Sequence, residues 1–469
     1  MRLFKGYVLL NYLIIAIVPL LLHNCNRKQK KQYSEKALFI KNLSVSRQVI
    51  TNNALPEQWI TEIQQNPQNN YRLENGELLL GNTEYPALSY SGYREHTRGD
   101  SLPNKDEYCP TVAQIKEDMK ILAAMDVKLI RTYDTQLYQH APRVLKAIHE
   151  LKQKHTDFAM FVMLGAWIQC KGAYTDQVDH SQEDLATNKA EMDKAIELAA
   201  KYPDIVKVIA VGNEAMVTWQ AHYVPAEVIL KWVRYAKKAK KDQVNGYQLS
   251  DKVLLTSSDN FAPWGGEKIY QDKTLIELIK EVDFISLHTY PFHDTHYNSE
   301  FWTKAVKGED KTKADKINLA MEAAFERAIS QYNLVKNYLK ENRIEKPIHI
   351  GETGWATVDD NLYHKEGSGA TDEIKMKMYY EAIKQWSHNN NVSCFYFEAF
   401  NEPWKGGEKG SESHFGLFTV GGKAKYALWH LVDKGNFQDL TRGQNQITKT
   451  YGGDHAKLYN DLIIPETNQ

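Results

Sequence analysis

The sequence predicts an α/β fold, a (β/α)8 TIM barrel with a short N-terminal appendage. Three observations predict it. From about residue 86 onward, apolar strand-like runs alternate with amphipathic helical stretches, the pattern of repeated βα units. The runs number eight, and the second, fourth, sixth, seventh and eighth lead into polar, charged or aromatic residues, as expected where strand ends and loops build one functional mouth. A length of 469 residues suits one such barrel with insertions.

In chain order the predicted strands are Ala87 to Tyr90, Leu129 to Thr132, Phe158 to Leu164, Val206 to Val211, Val253 to Ser257, Phe284 to Leu287, Ile348 to Gly351 and Cys394 to Ala399. Between them, Ile115, Met119, Leu122 and Met125 recur at helical spacing, as do Ile229, Trp232, Val233 and Ala236. The longest predicted helix, about Ala314 to Lys340, is rich in Ala, Leu, Glu and Lys and is expected to pack outside the strands. Another is expected to begin at Thr371, whose hydroxyl caps a turn containing Asp372 and Glu373.

The flanks divide by composition. Residues 1–25 read as a secretory or lipoprotein signal: Arg2 and Lys5 precede an apolar stretch from Tyr7 to Leu22, closed by His23-Asn24-Cys25. The expected location is outside the cytoplasm, in the periplasm, outer membrane or cell surface, attached through a lipidated Cys25 or an N-terminal anchor. Residues 26–85 read as a Lys/Gln-rich tether and an appendage, 86–430 as the catalytic barrel, and 431–469 as a tail that packs on the barrel or frays from it. Beyond Cys25, Cys109 and Cys170 fall in predicted loops and form the expected disulfide pair, if one forms; Cys394 begins an apolar run.

Charge is balanced at 58 basic and 59 acidic side chains, which gives a nucleic-acid partner no global electrostatic support. Aromatics are abundant, with 10 Trp and 27 Tyr, and several lie in polar loops where flat rings suit the apolar faces of sugars. Cysteine and histidine spacing gives no metal site; His293-Asp-Thr-His296 is the nearest approach.

Two glutamates close apolar runs: Glu214 after Val211-Gly-Asn213, and Glu352 after Ile350-Gly351. A pair of carboxylates at strand ends is the equipment of a glycosidase, one giving a proton to the leaving oxygen, the other attacking or stabilising the anomeric carbon. Arg131-Thr-Tyr-Asp134 ends the second strand, His288-Thr-Tyr-Pro-Phe292 the sixth, and Glu398-Ala-Phe-Asn-Glu-Pro-Trp-Lys405 the eighth. Each alone has an ordinary structural explanation. Together they converge on one mouth, which decoration has little reason to do.

These motifs resemble glycoside hydrolase family 17, the β-1,3-glucanases and related glucanosyltransferases, from about Tyr85 to Tyr426. The resemblance rests on Arg131-Thr-Tyr-Asp134, Val211-Gly-Asn-Glu214, Gly351-Glu-Thr-Gly-Trp355, Phe400-Asn-Glu-Pro-Trp-Lys405 and Glu412-Ser-His-Phe-Gly-Leu-Phe418. It implies that Glu214 is the acid/base and Glu352 the nucleophile, that Asn213 bonds the sugar 2-hydroxyl, and that Tyr290 supports the nucleophile. Arg131 would hold Glu352 ionised. Glu402 and Lys405 match a polar pair near the catalytic centre, and Tyr90 and Tyr133 match site aromatics; Trp355, which closes Glu-Thr-Gly-Trp, is expected among the substrate-binding or supporting residues. Strand-end position alone adds Glu398, Asp259 and Trp264. Trp167, Tyr174, Trp219, Trp264 and Trp404 are expected stacking platforms. The family's Glu-Thr-Gly-Trp-Pro and Phe-Asp-Glu become Glu-Thr-Gly-Trp-Ala356 and Phe400-Asn401-Glu402 here, changes that bear on subsite shape.

The expectation is retaining hydrolysis of a β-1,3-glucan without a cofactor, with the carboxyl groups about 5–5.5 Å apart. Three rivals differ by product: glucanosyl transfer from the same site, a barrel glycosidase for β-1,4-glucan or mannan, and a surface β-glucan-binding protein without turnover.

Overall fold

Side chains alternate faces along a strand, and in a barrel one face looks inward and the other meets the helices. In a computed structural model, which describes residues 73, 75–81, 86–100, 105–308 and 310–465, eight parallel strands close into that barrel. They are β1 (Ala87–Ser89), β2 (Leu129–Arg131), β3 (Phe161–Ala166), β4 (Val206–Asn213), β5 (Leu254–Asn260), β6 (Ile285–His288), β7 (Ile348–Gly354) and β8 (Cys394–Phe397). All eight predicted strands are present. The third begins at Phe161 rather than Phe158, because Phe158 belongs to the turn after the preceding helix, its N–H bonded to His155 O.

Alternation divides the core. Ala87, Leu129, Met163, Val208, Ala210, Phe284 and Phe395 come from around the ring and form one inner cluster, which Leu79 and Leu80 join. The segment before β1 therefore plugs one end of the barrel, and Gly81 N–H is tied to Ser393 Oγ at 2.8 Å. The alternate residues Leu88, Ile130, Val162, Leu164, Ile209 and Val211 belong to the larger layer between strands and helices.

The helices begin where local chemistry allows. Thr111 forms a capping box with Gln114 ahead of Val112–Ala123, and Thr312 forms one with Asp315 ahead of the long helix Lys313–Glu341. The cap of Glu373–Asn389 is Asp372, whose side chain accepts Lys375 N–H. The expected capping hydroxyl of Thr371 instead donates to Tyr363 O.

After Tyr426 the chain packs on the barrel. Arg442 is buried, with Nε 2.9 Å from Asp118 Oδ1 and Nη2 donating to Gly92 O. Lys375 Nζ donates to Ile463 O, fastening the last described turn. Cys109 and Cys170 are both free, which corrects the expected pair. Each stows its thiol locally, Cys109 against Tyr93 Oη at 3.2 Å and Cys170 against Ala221 O at 3.6 Å. Residues 1–25 and most of 26–85 lie outside the described residues. Among the described ones no helix is long and apolar enough to cross a membrane.

Candidate active site

Strand register brings the polar strand ends level. His288 lies opposite Asn260 on one side and Glu352 on the other, after a register shift between Leu287 and His288. Gly351 makes this approach feasible: a Cβ there would lie 2.1 Å from Ser286 Oγ and 2.5 Å from Ser258 Oγ. At the end of β4 the chain turns through Gly212 (φ 83°) and Glu214 (φ 45°). The left-handed region is unfavourable for a glutamate, and Glu214 N–H is held there by Ser258 O at 2.9 Å.

This turn aims Glu214 at Glu352. One carboxylate oxygen of each, with a ring nitrogen of His288, lie within 4.8 Å of one another. Glu352 is buried, and its two oxygens have different partners. Arg131 Nη1 donates to Oε1 at 2.5 Å, and the Tyr290 hydroxyl donates to Oε2 at 2.7 Å. Burial pushes this carboxyl up, but His288, the Arg131 guanidinium and the Tyr290 hydroxyl together hold it below the usual carboxylate range. Burial and the Glu352 charge push the Tyr290 hydroxyl well up, so it remains a donor.

Glu214 is differently placed. Its side chain is partly exposed; Gln220 Nε2 donates to Oε2 at 2.9 Å and His288 Nδ1 lies 3.0 Å from Oε1. Arg131 Nη2 donates to Asn213 Oδ1 at 2.5 Å, which leaves the Asn213 amide N–H groups to face a ligand. Two carboxylates with a histidine are also a metal-type donor set. Arg131, fixed on Glu352, puts a permanent positive charge where a cation would sit.

The other expected residues separate into two groups. Tyr133 stays at the mouth, with the Arg131 guanidinium 4.8 Å from its ring centroid. Glu398, Glu402 and Lys405 form one buried cluster: Lys405 Nζ is 3.3 Å from Glu398 Oε2 and pairs with Glu402. Burial and the Glu402 charge push Glu398 well up. Glu402 is pushed up by burial too, yet Lys405 more than offsets this and holds it down.

Four expected residues do not line the mouth. Tyr90 has the outward parity of Leu88; its hydroxyl donates to Asp118 Oδ2 at 3.0 Å, on the helix layer. Trp264 and Trp355 are fully buried, their indole N–H groups donating to Ser286 O and Ala370 O. A large ring beside a strand end gains more from the helix layer than from water. Asp259 is buried and accepts the Met216 and Asn260 N–H groups, both at 2.8 Å, so it shapes the loop behind Glu214.

Sequence reasoning missed His288, Gln220 and Glu191. His288 stood in a strand-end motif and was legible there. Gln220, six positions after Glu214, gave no signal. Glu191 lies mid-helix in Leu185–Lys201, where a carboxylate ordinarily faces water; here it is buried and accepts N–H groups from Thr135, Gln136, Leu137 and Trp167. It thereby positions the loops after β2 and β3.

Comparison with known proteins gives the family and the fold. The BtgE/BtgC glycoside hydrolase domain model matches residues 88–416. A solved endo-laminarinase from Formosa is 49% identical with a TM-score of 0.78, covering 83% of this chain and 97% of that one. A glucan 1,3-beta-glucosidase of Arthroderma benhamiae is 25% identical over 335 residues, 68% of this chain and 86% of that protein. One of Schizosaccharomyces pombe is 25% identical over 328 residues, 70% of this chain and 84% of that protein. The chain is a glycosidase and belongs to the BtgE/BtgC glycoside hydrolase family.

Proposed function

We propose that this enzyme hydrolyses β-1,3-glucan with retention, by double displacement. The observation that carries the mechanism is the approach of Glu214 and Glu352 oxygens within 4.8 Å. Retaining enzymes hold the two carboxyl groups about 5–5.5 Å apart, whereas inversion needs roughly 6.5–9.5 Å to admit a water. The substrate assignment is supported by the 49% identity to an endo-laminarinase.

The environments assign the roles. Glu352, held ionised by Arg131 and Tyr290, attacks the anomeric carbon, while Glu214 gives its proton to the glycosidic oxygen. The leaving chain departs and a glycosyl-enzyme ester remains on Glu352. Glu214 then takes a proton from water, whose oxygen attacks the anomeric carbon and frees Glu352. Asn213, its Oδ1 occupied by Arg131, offers N–H to the sugar 2-hydroxyl.

The test is Glu352→Ala on purified protein with laminarin. The expected outcome is loss of reducing-end release by at least about a thousandfold, with laminarin still bound in calorimetry. Release at the parent rate would overturn the assignment. The N-terminal Tyr7 to Leu22 run and Cys25 support an exported, lipid-anchored enzyme; fatty-acid labelling lost in Cys25→Ala checks that part.

A further inference from the structure

Glu214 meets a hydrogen-bond donor on each of its oxygens. His288 Nδ1 lies 3.0 Å from Oε1, and Gln220 Nε2 donates to Oε2 at 2.9 Å. N–H donors favour the charged form of a carboxylate, which suits the base of the second displacement. The acid of the first displacement has to carry a proton, and the oxygen that bears it becomes a donor itself. Its hydrogen then points where an N–H points now.

One of the two donors has to give way, and their surroundings decide which. His288 is fully buried at the end of β6. Its other nitrogen lies 2.8 Å from Ser258 Oγ, which in turn lies 2.7 Å from Ser286 Oγ. Gln220 is half-buried between the exposed Trp219 and Ala221, and among the described residues its side chain makes no other hydrogen bond. Its backbone is fixed: Val224 N–H donates to Ala215 O at 2.8 Å, closing the loop, and Gln220 N–H donates to Val217 O at 3.1 Å. Two positions on, buried His222 has Nε2 2.9 Å from Asn213 O. The loop therefore stays, and the Gln220 side chain alone is free to swing away.

A general acid donates to the oxygen of the bond it breaks, from within hydrogen-bond reach. With Oε1 held by His288, that oxygen has to approach Oε2, where the amide stands. We propose that Gln220 is a positioning residue that holds the place of the glycosidic oxygen: it caps Glu214 in the free enzyme and is displaced when a glucan chain seats. This rests on the double-displacement reading above. As the amide leaves, Oε2 takes one proton from solvent and turns it to the glycosidic oxygen. On cleavage that proton goes with the leaving chain and Glu214 is left ionised. The substrate thus makes the acid that cleaves it.

Other groups also face Glu214. Glu352 and His288 do so from β7 and β6, Tyr290 from the loop after β6, Asp259 from β5, and His222 and Tyr174 from the loops after β4 and β3. Arg131 bonds the neighbouring Asn213. All of them are retained in a Gln220 variant, so a difference from the parent belongs to the amide.

The experiment is single-turnover cleavage of laminarihexaose labelled at its reducing end, with full-length enzyme in excess, from about pH 5 to 9. The rate at saturating enzyme reports the loaded enzyme, and the initial slope against enzyme concentration reports the free one. In Gln220→Ala, and in Gln220→Met, which keeps the length without the donor, the alkaline limb of the initial slope is expected to move about half a pH unit or more upward. The limb at saturating enzyme is expected to coincide with the parent's. The two limbs of each variant are compared with each other, so a change in overall rate does not enter. A free-enzyme limb left in place in both variants, a shift to lower pH, or equal shifts of both limbs each overturn the displacement alone: the amide then does not cap Glu214, accepts its proton, or stays on it in the complex. Trapping of the parent by a 2-deoxy-2-fluoro laminaribiosyl donor with a dinitrophenolate leaving group, which departs without a proton, is expected to show no alkaline limb. A limb there overturns the acid role of Glu214 and the displacement together.

Discussion

The ring of His288 joins the two glutamates: Nδ1 lies 3.0 Å from Glu214 Oε1 and 3.7 Å from Glu352 Oε2. Its other nitrogen lies 3.1 Å from Arg131 Nη1. A carboxylate only accepts, so Nδ1 carries the hydrogen that meets Glu214, while Ser258 Oγ lies 2.8 Å from Nε2. This bond would orient Glu214 for both of the proton transfers proposed for it.

His288→Ala is therefore expected to lower kcat/KM on laminarin by about a hundredfold, without unfolding the barrel. Steady-state kinetics beside a circular dichroism spectrum measure both. Parent-like kcat/KM would remove His288 from the machinery.

Tyr290→Phe tests how Glu352 is kept ionised. Its hydroxyl donates to the charged form of Glu352, and losing such a donor raises a carboxyl pKa. Because the nucleophile works only when ionised, the acid limb of the kcat/KM profile should move to higher pH. An unmoved limb would mean that His288 and Arg131 suffice.

Glu191→Ala should destabilise the fold by about 2–4 kcal/mol, since one buried and three part-buried N–H groups lose their acceptor. Denaturant unfolding gives the number. A change below about 0.5 kcal/mol, the range of an ordinary surface substitution, would contradict the role given to Glu191.

Lys425 predicts a pH dependence. Its Nζ donates to Thr357 Oγ1 at 2.8 Å and His414 O at 2.7 Å, linking the loops after β7 and β8. Burial pushes this lysine down to about 7, whereas an unfolded lysine titrates near pH 10. Between those values the unfolded chain binds more protons, so this group makes stability rise with pH across that window. Lys425→Met should flatten the rise in Tm from pH 7 to 10; equal slopes would contradict the assignment.

The barrel was legible because eight short apolar runs recur along the chain between helical stretches, and the facing glutamates because each closes such a run. Parity along a strand decided the fate of Tyr90, which follows Leu88 outward to Asp118. Trp264 and Trp355 misled because strand-end position does not say whether a ring turns to the mouth or the helix layer. Gln220 and Glu191 act through tertiary contacts alone, so neither had a local pattern to reveal it. The Cys109 and Cys170 pairing failed because loop placement says nothing about distance between loops.

The most direct test of the central claim is mass spectrometry of peptides from enzyme trapped with the 2-deoxy-2-fluoro laminaribiosyl donor. The account predicts one added fluoroglycosyl group, on the peptide carrying Glu352, and a β-configured first product by NMR. Label on Glu214, or an α-configured product with no label, would contradict it.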